Sequence, residues 1–121
     1  MKPNAFLTAG LFAMFASIAH AQAIEPVSSR IGDVIAASKN GMTLYTFRKD
    51  APNTSNCYGG CAKSWPPFLA SSAAKADGTL TLVERKDGAK QWALNGKPLY
   101  FWVGDKKRGD VTGGVWDAVR N

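Results

Sequence analysis

The sequence predicts a mainly β protein: a small antiparallel β domain made of two related hairpin repeats, preceded by a cleaved signal peptide. Three observations carry this expectation. Short strand-like runs are separated by Asn-Gly and Asp-Gly dipeptides, and no segment holds a helical period over ten or more residues. The stretch Asn40–Asp50 recurs as Asn95–Asp105 at a constant offset of 55. Residues 1–21 have the charge and apolar layout of an export signal.

The signal is read from its parts. Lys2 gives a positive start, Ala5–Ala16 is apolar, and Ala19-His20-Ala21 places small residues where a signal peptidase reads them. Cleavage is expected after Ala21, so that the mature chain begins at Gln22. The competing reading, an N-terminal helix of the domain, fits poorly because the stretch is apolar all round. No cysteine stands at the cleavage point, so lipid attachment there is not expected. Beyond it, no apolar run reaches the ~20 residues of a membrane span. A secreted or periplasmic protein without a transmembrane segment is expected, with about 100 residues for one small domain.

The elements follow in order. Residues 22–32 read as an irregular lead. Asp33–Ala37 is short and apolar, and the Asn40-Gly41 pair joins it to Met42–Phe47 as a hairpin with a type I′ turn. Residues 50–67 are irregular, with one helical turn over Cys61–Trp65 stopped by Pro66 and Pro67. Phe68–Ala76 is weakly patterned. Thr79–Glu84 alternates as a strand, Asp87-Gly88 turns it, and Lys90–Leu94 returns. Asn95-Gly96 leads into Lys97–Val103, where Pro98 suits a strand start. A charged, Gly-rich loop over 104–114 precedes a last short strand, Val115–Val119. The expected divisions are a signal peptide at 1–21, a lead and first strand at 22–37, and a two-copy domain at 38–119. Its copies lie at about 38–67 and 79–119.

Composition excludes several chemistries. The only histidine is His20, inside the expected signal. The mature chain therefore has no Ser-His-Asp or Cys-His nucleophile system, no His-ligated zinc and no Cys-x-x-Cys-His haem attachment. No catalytic residue, cofactor or metal-ligand set is nominated, and the protein is read as not an enzyme. The formal net charge is +6. Such a charge favours weak binding to anionic surfaces and an envelope component or protein partner. The basic residues are scattered, with Lys106, Lys107 and Arg108 the densest run. That is a solvated face rather than a nucleic-acid site.

Cys57 and Cys61 flank Tyr58-Gly59-Gly60, and in an exported chain a pair so close reads as a structural disulfide. A redox-active pair is the alternative. Two sulfurs are only half of a tetrahedral metal set.

Within the repeat, Tyr45 and Phe47 share one strand face and Tyr100 and Trp102 share another. The second strand is apolar on both faces and so is expected to be covered on both. Asp50 and Asp105 stand at the strand ends, where a carboxylate can accept hydrogen bonds from loop amides. Trp65 and Trp116 follow each Asp after a glycine-containing loop. These eight residues are the candidate site. Tyr45 and Tyr100 are read as core anchors, against a ligand-stacking or iron-ligating role. Phe47, Trp65, Trp92, Trp102 and Trp116 are read as core, against an exposed binding strip.

Tyr45-Thr-Phe47-Arg-Lys-Asp50 and Tyr100-Phe-Trp102-Val-Gly-Asp105 both fit Y-x-[FWY]-x-x-D. The chain thereby resembles a family of secreted repeats and predicted bacterial lipoproteins built on that motif. Cys57-Tyr-Gly-Gly-Cys61-Ala-Lys-Ser-Trp65-Pro-Pro67 is similar to the linker between its copies. The resemblance covers about residues 38–119 and implies an exported protein without an established activity. Two departures stand out: the lipid-bearing cysteine is missing, and Asp117 stands after Trp116 where many members have His. The expected function is an exported, non-catalytic binding or structural module of the bacterial envelope. The alternative is a redox or haem-linked accessory protein using Cys57, Cys61 and the motif tyrosines.

Overall fold

The computed structural model describes residues 22–121; the expected signal segment at 1–21 lies outside the described residues. Strand β1 (Ile24–Ser29) pairs antiparallel with β2 (Gly32–Ala37), from Ile24↔Ala37 to Ser29↔Gly32. The reading of 22–32 as an irregular lead is therefore corrected. Pro26 and the serines hide the strand from pattern reading, yet only Val27 of β1 is fully buried, as an edge strand permits.

A short helix, α1 (Gly60–Ser64), follows the first motif. The second sheet is centred on β5 (Lys90–Leu94). Strand β4 (Leu80–Glu84) runs along one edge of β5, from Leu80↔Leu94 to Glu84↔Lys90. On the other edge β3 (Leu69–Ala70) pairs at Lys90 and Gln91, and β6 (Lys97–Pro98) at Ala93 and Leu94. The Asn95-Gly96 turn has φ of 53° and 82°, the type I′ signature. At Asn40-Gly41 only Gly41 is left-handed. There the connection runs over Ser38–Gly41, and Asn40 Oδ1 accepts the Met42 amide at 3.0 Å. The expected type I′ turn is replaced by a longer, side-chain-closed loop.

The two sheets are tied at the motif tyrosines. Tyr45 N–H donates to Tyr100 O at 2.8 Å and Tyr100 N–H to Tyr45 O at 2.9 Å. Around this pair the backbone bonds repeat in matched sets. Phe68 N–H donates to Leu99 O and Val119 N–H to Leu44 O; Phe101 N–H donates to Pro66 O and Thr46 N–H to Asp117 O. Trp92 N–H donates to Phe68 O and Ile35 N–H to Val119 O. The two halves are thus related by an approximate two-fold passing between Tyr45 and Tyr100. The expected strand at Val115–Val119 is instead a turn at 115–117 followed by single bridges at Ala118 and Arg120. Met42–Phe47 likewise pairs only through bridges at Thr43 and Tyr45, because neighbours on both sides change partner within a few residues.

The core has two faces. Val34 and Ala36 join Val27, Tyr45, Val111 and Ala118, while Ile35 and Ala37 join Leu44, Phe68, Leu80 and Leu99. Strand β2 is buried on both sides, so period-two alternation feeds two clusters rather than one core and one solvent face. Each large apolar side chain so buried contributes roughly 1.5–3 kcal/mol.

Candidate functional site

The motif side chains cross between the halves. The Tyr45 hydroxyl donates to Asp105 Oδ2 at 2.7 Å, and the Tyr100 hydroxyl donates to Asp50 Oδ2 at 2.7 Å. Each carboxylate then holds its own loop with the other oxygen. Asp50 Oδ1 accepts the Asn56 amide at 2.7 Å; Asp105 Oδ1 accepts the Thr112 amide at 2.9 Å and the Thr112 hydroxyl at 2.7 Å. The tyrosine of one copy therefore fastens the loop of the other. Burial pushes the Tyr100 phenol up to about 12, with the Asp50 carboxylate acting in the same direction and the Ser55 hydrogen bond against it. Tyr45 is also raised, first by burial and then by Asp105. The oxygens that an iron-ligating role would need are buried and committed to carboxylates.

The second clamp extends into a buried polar chain. The Tyr100 proton is given to Asp50, so at the 2.6 Å contact Ser55 is the donor to Tyr100. Arg85, 6% exposed, donates to Ser55 Oγ at 3.0 Å, to Gln91 Oε1 at 2.7 Å and to Cys57 O at 2.8 Å. Its guanidinium carbon lies 4.2 Å from the Tyr58 ring centroid, a cation–π contact. Ser55, Arg85 and Gln91 were not singled out from the sequence. No sequence signal marks them, since Arg85 follows a strand end among charged neighbours and reads as solvent-facing. Strand pairing matches Arg85 to Ser29; the next residue, Arg30, is exposed and sends Nη2 to Val111 O at 3.0 Å.

Among the candidate aromatics, Trp65 packs edge-on to Tyr45 at 5.2 Å and lies 4.5 Å from Trp102, while Phe47 packs edge-on to Tyr100 at 6.3 Å. Phe47, Trp65 and Trp102 are all half-buried. A Cβ at Gly113 would stand 2.8 Å from Trp102 and 2.9 Å from Trp65, so this loop needs glycine there. Disulfide Cys57–Cys61 forms, with Cα atoms 5.2 Å apart, and it closes the loop leading into α1.

Trp116 corrects the core reading: it is 85% exposed. Its backbone position matches that of Trp65, since Ala118 and Pro67 bridge to Tyr45 and Tyr100 respectively. Phe47 and the Ser55 hydroxyl lie against Tyr100, and the second indole projects outward from its turn. Two clefts meet on this side. One, about 350 Å³, is lined by Phe47, Arg48, Asp50, Pro52 and Pro98 among others; the second, about 310 Å³, by Leu94, Trp116, Asp117 and Arg120. Thr46, Asn95 and Lys97 line both. Arg48 Nε pairs with Asp117 Oδ1 at 2.9 Å, and Thr46 N–H donates to Asp117 O, bracing the turn that carries Trp116.

A family model described as a secreted repeat of unknown function matches residues 27–68 and 81–120. The chain belongs to this family. The two matched segments are the two halves related by the approximate two-fold, and the first takes in part of β1. Searches of curated proteins and of solved structures found no match. Membership in the secreted-repeat family supports an exported protein, and no helix among the described residues is long and apolar enough to cross a membrane.

Proposed function

We propose that this secreted-repeat protein is a non-catalytic binding module of the bacterial envelope, secreted or periplasmic, and that it binds through the face carrying Trp116. The observation that supports this reading is the division of labour among the aromatics. Tyr45 and Tyr100 are buried and Phe47, Trp65 and Trp102 are packed against them or one another, whereas Trp116 stands in solvent beside a cleft lined by Lys97 and Arg120. A large exposed aromatic on a braced turn costs solubility without benefit to the fold, and such residues commonly anchor interfaces. The only carboxylates that the repeat suggests for acid–base work, Asp50 and Asp105, are engaged in loop fastening. That favours binding over catalysis.

The test is retention of an envelope extract on immobilised protein, with Trp116→Ala alongside. Salt-sensitive capture of an envelope component that Trp116→Ala loses is expected. Capture unchanged by that substitution, or none at all, would refute the reading.

A further inference from the structure

Resting on that reading of the Trp116 face, we propose that it takes an acidic polysaccharide, with one uronate ring on the Trp116 indole and flanking carboxylates at Lys97 and Arg120. The two clefts are continuous through Thr46, Asn95 and Lys97, which makes a trough suited to a chain rather than to a single compact ligand. The trough is lined by three cations, Arg48, Lys97 and Arg120, and two carboxylates, Asp50 and Asp117, so its charge is net positive by one. Asp117 is already paired with Arg48, and Asp50 already accepts Tyr100 and Asn56. Lys97 and Arg120 take part in neither of the two ion pairs found among the described residues.

The trough reads side-chain chemistry rather than backbone. Thr46 N–H is given to Asp117 O, Asn95 N–H to Thr79 O, and Gly96 O accepts Asn53 N–H. Pro52 and Pro98 have no N–H to offer. A peptide therefore finds no open strand edge to extend here. An indole face instead suits the C–H face of a pyranose ring, whose slightly positive hydrogens meet the electron-rich ring. Phosphate polymers and lipid headgroups would meet the cations but leave the indole without a flat partner.

The test uses the mature protein with oligogalacturonate, neutral maltohexaose of similar length and linear polyphosphate as probes. Binding is read by calorimetry and by the fluorescence difference between wild type and Trp116→Ala. Oligogalacturonate is expected to bind, to shift the Trp116 emission, and to weaken as salt rises from about 20 to about 200 mM. Trp116→Ala and the Lys97→Ala/Arg120→Ala double variant should each weaken it by about ten-fold or more. Polyphosphate binding as tightly, with no dependence on Trp116, would overturn the proposal by showing charge alone at work. So would absence of oligogalacturonate binding. If envelope capture still depends on Trp116 in that case, the binding-module reading stands and only the acidic-sugar assignment falls.

Discussion

Tyr45 and Tyr100 do more than fill space, because each hydroxyl donates to a carboxylate of the opposite copy. Donation requires the protonated phenol. Both folded values lie above the ordinary value of about 10, so the stabilisation is fully present below about pH 10. It is lost as pH rises through the folded value, about 12 for Tyr100. Tyr100→Phe leaves Asp50 Oδ2 without its donor and the Ser55 hydroxyl without its acceptor, and should cost about 1–3 kcal/mol near neutral pH in urea melts. Melts repeated at pH 7, 10 and 11 (approximate settings) should show wild type losing stability above about pH 10 and the variant losing less. An unchanged midpoint for Tyr100→Phe would deny the clamp its energetic role. The motif spacing was plain in the sequence, but the partner was not. Tyr and Asp lie five residues apart within each copy, which suggests a local contact; only the strand crossing at Tyr45 and Tyr100 sends each hydroxyl to the far copy.

Among the elements, the hairpins at Lys90–Leu94 and Asn95-Gly96 were legible because alternation and turn chemistry agree there. Strand β1 was not, because Pro26 and its exposed side chains mask the alternation. The position of Arg85 was equally hidden. It follows a strand end and reads as solvent-facing, and it is buried because the 51–64 loop of the other copy lays Ser55, Cys57 and Tyr58 over it. The disulfide fastens that segment, but the ring it closes is short. Reduction should therefore cost stability near the low end of about 2–4 kcal/mol. Calorimetric melts with and without reductant should show a lower but still cooperative transition. Trp116-dependent capture should persist after reduction, because the Trp116 turn belongs to the other copy and is braced by Arg48 and Thr46. Loss of cooperative melting on reduction would show that the cover over Arg85 depends on the crosslink.

For the whole molecule, the fold class was readable from many short strands, and the doubling from the eleven-residue repeat. The exposure of Trp116 was not readable, because Trp65 and Trp116 stand at matching places in the repeat, yet only Trp65 packs on its tyrosine. Division at residue 68 separates each hydroxyl from its acceptor and splits the Tyr45–Tyr100 backbone pair. Chains 22–68 and 69–121 should each lack a cooperative melt by circular dichroism, and equimolar mixing should restore at least part of the β signal. A cooperative melt from either piece alone would contradict this. The exchanged hydroxyls also set an arithmetic for longer relatives. A unit added by duplication brings one donor and one acceptor that cannot satisfy each other, so growth by single units strands both. Chains lengthened in this way should gain their units two at a time, and a lone unit should persist only where a second chain supplies its counterpart.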